Sequence, residues 1–417
     1  MSFELRDELL HNGVRVITEH NPSSKSASLG LWANVGSRDE GEATWGCSHF
    51  LEHLLFKGTE KRTAQEISST IENRGGSLNA FTDRDMTAYH ARVMADDLAL
   101  AAEVLQDMYH NSALRDPDIE NERQVILEEI KQLEDDPSSL IHELCLENIW
   151  RGSRLAHSIA GTVETIQEMS PDLIREYYTQ HYRGELTVVA SGLVDHEKLV
   201  QDLEKFAEKG LGKPARNRVK PSHNPGRMFV SKDTGQVQLC IATEGAPYGH
   251  EDMAAQTIVS SYLGLGASSK LFQEVRERRG LVYNIYTYNQ ALEDVGAFGV
   301  FAGTRKANMR EVAEIVLKEL EAMKQGLDLA KLEEVKHKTV GLLILNSENN
   351  RQRMHQLGVS TLRSGRPRTV DEAVAKLIAV TDEDVRRVAE QLFDTNKLSI
   401  TALGVSEEES EALSGLI

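Results

Sequence analysis

The segment Trp45 to Thr59, WGCSHFLEHLLFKGT, sets two histidines and a glutamate in a run of apolar, helix-forming residues. On a helix His49 and His53 stand at i and i+4, so both imidazoles leave one face about one turn apart. Two nitrogens at that separation can share one zinc ion at about 2.0–2.1 Å each. Glu52 directly precedes the second imidazole. It borders such an ion without binding it, where a carboxylate takes a proton from metal-activated water. Placing three ionisable groups among Phe50, Leu51, Leu54 and Leu55 is costly unless they have partners.

A catalytic zinc takes three protein ligands and keeps one position open. The cysteines, Cys47, Cys145 and Cys240, are odd in number and lack a CxxC spacing, so the ligands are expected to be His and carboxylate. The segment DPDIENERQVILEEIKQLEDDP predicts a helix with Asp116 as N-cap and Pro117 in its first position. Its apolar stripe is Ile119, Ile126, Ile130 and Leu133. At about 100° per residue, Glu129 falls about 70° from the centre of that stripe, and Glu128 nearly opposite it. Glu122 lies one heptad earlier, on almost the face of Glu129. Glu129 is therefore the expected third ligand, with Glu122 a nearby carboxylate supporting the site. Glu120, Glu128, Glu134, Asp135 and Asp136 read as solvated helix surface and loop.

The two helices need a frame. A chain of 417 residues fits two domains of about 200 residues each. Ile166 to Gly192 and Leu377 to Gly404 repeat one pattern half a chain apart: a Ser or Thr N-cap, an amphipathic helix, a polar break and a β-rich run ending in Gly. SASLGLWANVGSRDE likewise pairs with QVQLCIATEGAPYGH as strand and loop, and MADDLALAAEVLQDMY with MREVAEIVLKELEAMKQ as a long helix. The expected fold is α+β, two homologous domains of mostly antiparallel sheet covered by helices. Their expected bounds are 1–212 and 227–417, with a Pro-, Gly- and basic-rich linker at 213–226.

Composition narrows the function classes. Hydrophobic residues make up 40% and charged residues 27%, as in globular protein, and no apolar run approaches the roughly 18–20 residues of a membrane span. A formal charge of −18 argues against sequence-independent nucleic-acid binding. The N-terminus, MSFELRDELLHNGVRVITEH, reads as a hairpin about Asn12-Gly13 and not as a secretory or transit signal. With so few cysteines, the cytoplasm is the expected compartment.

His49-Phe-Leu-Glu52-His53, followed by Glu129 within ERQVILEEI, resembles the pitrilysin-type (inverted zincin, M16) peptidases. That group contains the mitochondrial processing peptidases and insulysin, and the chain looks most like the processing-peptidase-like bacterial members. The resemblance runs through nearly the whole chain. It implies Zn2+ on His49, His53 and Glu129, with Glu52 activating water and Glu122 in support, in domains arranged as a clamshell. It further implies that GGSLNAFTDRDMTAYHA (Gly75 to Ala91) supplies an edge strand onto which peptide adds as another strand, Asn79 and Ala80 matching the family's Asn-Ala pair.

In the second domain the segment corresponding to the histidine helix reads AAQTIVSSYLGLG, without ligands. LFQEVRERRGLVYNIY (Leu271 to Tyr286) is similar to the family's Arg and Tyr pair, matched by Arg276 and Tyr283. By resemblance these bind the substrate backbone and stabilise the oxyanion. From residue types alone, Arg278 and Arg279 are equal candidates. Two acidic positions by which mitochondrial processing subunits read arginine hold Ser139 and Glu143 here, so one acid is missing. The implied activity is zinc-dependent endopeptidase cleavage of extended or unfolded peptides by a homodimer. The alternative is a non-catalytic scaffold or assembly subunit of the same family, against which the intact ligands and base argue.

Overall fold

In the computed structural model, which describes residues 4–183, 185–204, 216 and 218–416, the chain divides into two compact units. The first takes Met1–Ile130, His157–Val219 and Leu345–Thr369; the second takes Lys131–Ala156, Lys220–Ile344 and Val370–Ile417. The units therefore differ from the contiguous stretches 1–212 and 227–417. Helix Pro137–Ile149 belongs to the second unit and helix Asn350–Ser364 to the first. Of the expected linker at 213–226, positions 213–215 and 217 lie outside the described residues, as do 205–212 before it. Arg218 is anchored in the first unit, where its guanidinium meets Asp39 Oδ2 at 2.6 Å.

The first unit is built on six strands: β1 (Glu4–Leu9), β2 (Arg15–His20), β3 (Ser26–Ala33), β4 (Ser77–Thr82), β5 (Thr87–Met94) and β6 (Leu186–Gly192). Their order is β1-β2-β6-β3-β5-β4, antiparallel except for the parallel pair β2 and β6. The expected hairpin forms between β1 and β2. Gly13 takes φ 90°, a value that favours glycine, and Asn12 Oδ1 accepts from Val14 N at 3.0 Å.

Side chains of β3 alternate between two cores, as a strand's period of two requires. Leu29 and Leu31 pack under the helices that carry the candidate ligands, with Phe50, Leu51, Ile119 and Ile126. Trp32 points to the other face, against Met354 and Leu357 of helix Asn350–Ser364. That helix lies close because residue 358 is glycine: a Cβ there would fall 2.4 Å from the Trp32 ring.

The second unit holds β7 (Arg227–Val230), β8 (Val237–Gly245), β9 (Val282–Ala291), β10 (Gly296–Thr304) and β11 (Ser399–Leu403), in the order β7-β11-β8-β10-β9. This is the first sheet without β1, and its parallel pair, β7 with β11, corresponds to β2 with β6, so that without a counterpart of β1 the strand β7 stands at the edge. The repeat read in the sequence is structural. Ser170 and Thr381 each cap a helix, accepting from Leu173 N at 3.2 Å and Asp384 N at 3.1 Å. The strands that follow, β6 and β11, lead to Gly192 and Gly404 at φ 122° and 90°. Helix Pro137–Ile149 covers this sheet through Ile141, Cys145 and Ile149. Among the described residues, no helix is long and apolar enough to cross a membrane.

Candidate metal centre

Two helices bring the ionisable residues together, all of which lie in the first unit. Helix Cys47–Leu54 starts after Gly46, whose φ is 93°. Its first turn is held by the buried Glu40, which accepts from Gly46 N and from Ser48 N, both at 2.7 Å. Burial pushes the Glu40 carboxyl up to about 8, while the two amides pull the other way. Phe50, Leu51 and Leu54 bury one face of this helix. Its other face presents His49, Glu52 and His53.

The second helix spans Asp116–Asp135 and buries Ile119, Ile126 and Ile130 of the predicted stripe, while Leu133 is half-buried. It begins earlier than predicted: Asp116 is its first residue, and Ile119 N bonds Arg115 O at 3.0 Å. The cap with proline in the first position belongs instead to Asp136, read above as solvated, which accepts from Ser138 N at 3.0 Å and starts helix Pro137–Ile149.

His49 Nε2 lies 3.6 Å, and His53 Nε2 3.5 Å, from Glu129 Oε2. The two rings are 4.8 Å apart and nearly perpendicular. These separations exceed ordinary hydrogen bonds. They suit donors sharing a tetrahedral ion at about 2.0–2.1 Å, which stand about 3.3–3.5 Å apart. Among the described residues this trio is the group of three whose donor atoms converge closely enough to hold a metal ion. The donor set, two imidazoles and a carboxylate, fits zinc. Cys47, buried with its thiol pushed up by burial, adds no ligand.

The surroundings tune these groups. Burial lowers His49 to about 4, and the neighbouring His53 adds to the effect, so the ring is neutral as a ligand must be. Burial also opposes charge on His53. A hydrogen bond to Glu122 and the carboxylates of Glu129, Glu122 and Glu52 outweigh it and raise this ring. Glu122 Oε2 stands 3.1 Å from His53 Nδ1, and its Oε1 2.6 Å from Lys57 Nζ. Burial would raise Glu122, but these two contacts hold it below the usual carboxylate range. Glu52 is raised by burial, against a hydrogen bond of 2.6 Å from Thr82 Oγ1 to its Oε2. A carboxylate raised in this way holds a proton more readily than a free one, which suits it to take a proton from water and return it.

Asn79 and Ala80 lie on β4, the last strand in the order of the first sheet, so the expected edge strand is present. Ala80 N donates to Asn79 Oδ1 at 2.8 Å, so a side chain of the strand itself occupies this amide. Arg276 and Tyr283 belong to the second unit. The Arg276 guanidinium sits 4.7 Å from the Phe272 ring centroid, and Tyr283, near the start of β9, is 77% exposed. Arg278 and Arg279, their rivals by residue type, are engaged with Glu274 at 2.5 and 2.9 Å. Ser139, where the acid is missing, donates to Asp136 Oδ2 at 2.6 Å. AAQTIVSSYLGLG lies in helix Met253–Gly264 except for its last two residues, and it buries Ile258, Val259 and Leu263.

Sequence patterning did not single out Glu40, Lys57 or Thr82. An acid shortly before a Gly-initiated helix is a usable hint for Glu40. Nothing local marks the other two.

Comparison with known proteins gives the family and the fold. The family model described as Insulinase (Peptidase family M16) matches residues 15–163, and the one described as Peptidase M16 inactive domain matches residues 168–339. The chain is 38% identical to an uncharacterized zinc protease of Streptomyces coelicolor, over 96% of this chain and 89% of that one. It is 34% identical to the uncharacterized zinc protease YmxG of Bacillus subtilis, over 92% and 94%. The crystal structure of a protease from Helicobacter pylori shares the fold, with a TM-score of 0.89 at 22% identity, covering 97% of this chain and 100% of the other.

Proposed function

This chain belongs to the insulinase family of peptidases, family M16, and from that premise we propose that it is a zinc-dependent endopeptidase acting on extended or unfolded peptides. The observation that carries the reading is the approach of His49, His53 and Glu129 to within sharing distance of one ion, with Glu52 on the same helix face. When bound, zinc supplies Lewis acidity that activates water and polarises the scissile carbonyl. His49 and His53 offer their Nε2 atoms to it, and Glu129 a carboxylate oxygen. Glu122 accepts from His53 Nδ1 and so fixes Nε2 as the side carrying the lone pair. Glu52 takes the proton of the attacking water and delivers it to the leaving amine.

Peptide is held by its backbone. It pairs with the outer edge of β4, where Asn79 releases the Ala80 amide to it. Main-chain pairing grips extended chains of varied sequence, which favours unfolded substrates over one recognition motif. Arg276 and Tyr283 are assigned, by their match to the family's pair, to hold the substrate carbonyl and stabilise its developing charge. The reading extends to a homodimer acting in the cytoplasm, with no nucleic-acid partner for a chain of charge −18.

Cleavage of an unstructured peptide by wild type and Glu52→Gln tests it. The variant is expected to keep its zinc and lose about 100- to 10,000-fold in rate, and chelation is expected to silence the wild type. Equal rates for the two proteins would refute the reading. Sizing of the purified chain checks the dimer.

A further inference from the structure

Glu52 has three rotatable bonds before its carboxylate, and a base that must meet a water in one geometry gains from having them fixed beforehand. Thr82 does this, chiefly through its hydroxyl, with its backbone amide the weaker contributor. Thr82 Oγ1 donates to Glu52 Oε2 at 2.6 Å, the short distance of a hydrogen bond to an ionised acceptor. Among the described residues, no other side chain bonds that carboxylate.

The strand period delivers the hydroxyl there. Leu78 and Ala80 pack into the core beneath the histidine helix, whereas Phe81 turns the other way, with its ring 5.4 Å from that of Trp32. Thr82 therefore shares the face of Leu78 and Ala80 and meets Glu52. It is also the last residue of β4, opposite Thr87 of β5, so its backbone belongs to the strand whose other edge is open.

We propose that Thr82 is a positioning residue for the base. Its hydroxyl pins Oε2 of Glu52, leaves Oε1 as the proton acceptor, and ties the base to the strand on which the peptide is laid. Peptide and base are then located by one rigid element, and a shift of β4 moves both together. The inference rests on the assignment of Glu52 made above. The bland alternative is a strand threonine whose hydroxyl bonds the nearest acceptor, which would matter to stability alone.

Four variants separate these. Thr82→Val keeps the volume and β-branching and removes the hydroxyl; Thr82→Ser keeps the hydroxyl. With a saturating unstructured peptide, Thr82→Val is expected to lower kcat about 10- to 100-fold, the loss typical of a hydrogen bond to a charged group. KM and zinc content should stay within about twofold, and Thr82→Ser should restore kcat to within about threefold. Adding Thr82→Val to Glu52→Gln should cost nothing further, since the hydroxyl acts through the carboxylate. The inference is overturned if Thr82→Val keeps wild-type kcat, if Thr82→Ser falls as far as Thr82→Val, or if the losses in the double variant add. An active wild type that is indifferent to Glu52→Gln overturns the peptidase mechanism itself. A silent Glu52→Gln beside an unaffected Thr82→Val overturns only the role of Thr82.

Discussion

Replacing Glu122 by glutamine removes one charge and alters two contacts of a side chain that is 6% exposed. Its two oxygens serve two donors, His53 Nδ1 at 3.1 Å and Lys57 Nζ at 2.6 Å. An amide has one acceptor oxygen, so in Glu122→Gln one donor faces an NH2 group. Lys57 is 37% exposed and finds water instead, so its share of the loss is small. His53 does not have that freedom. With the amide oxygen turned to its Nδ1, the acceptor is neutral, and the charge-assisted bond that holds the ring with Nε2 towards Glu129 is lost. A hydrogen bond to a charged group contributes about 1.5–3 kcal/mol. At about 1.4 kcal/mol per factor of ten, this is a loss of about 10- to 100-fold in metal affinity. Zinc affinity is measured by competition with a chelator of known strength at fixed pH, with circular dichroism to confirm the fold. Affinity within twofold of wild type, in a variant that folds normally, would refute the claim that Glu122 orients a ligand.

Other perturbations test neighbouring parts of the account. Ala80→Pro removes the amide offered at the edge of β4, where proline is tolerated; kcat/KM for an unstructured peptide should fall at least about tenfold with zinc retained, and unchanged kcat/KM would rule out strand addition there. Gly358→Ala places a Cβ 2.4 Å from the Trp32 ring; urea unfolding should show a loss of about 1–3 kcal/mol with unchanged m-value, and an unshifted midpoint would show that the helix rides up without strain. His90 is held neutral, lowered to about 4 by burial first and then by Arg351 and His355. Its contribution is present above the ordinary histidine value and is lost as pH falls through about 4, by about 2–3 kcal/mol. Wild type should therefore lose that much more stability than His90→Gln between about pH 7 and pH 4, and parallel pH curves would contradict it.

What the sequence disclosed follows from the range over which each signal acts. His49 and His53 are four residues apart on one helix, and the helical period alone aims them together. Glu129 follows from the same period, read from the stripe of Ile119, Ile126, Ile130 and Leu133. The duplication was legible because the capped helix, the strand and the closing Gly192 or Gly404 recur in one order. Helix Pro137–Ile149 behaves differently. Its Ile141, Cys145 and Ile149 stripe announces burial but cannot name the sheet that buries it, so the exchange of helices between units was missed. Thr82 and Lys57 escaped for a related reason: each meets its partner only after β4 and the two ligand helices have packed. The start of the Glu129 helix was misplaced because Asp116-Pro117 and Asp136-Pro137 carry the same capping signal, and only the second uses it.

The central claim is that His49, His53 and Glu129 hold one zinc ion. Anomalous diffraction at the zinc edge, from crystals of the protein purified with its metal, tests it most directly. The account predicts one strong peak per chain within about 2.0–2.2 Å of His49 Nε2, His53 Nε2 and a Glu129 oxygen. A zinc peak bound by other residues, or full peptidase activity in protein whose crystals show no peak there, would contradict it.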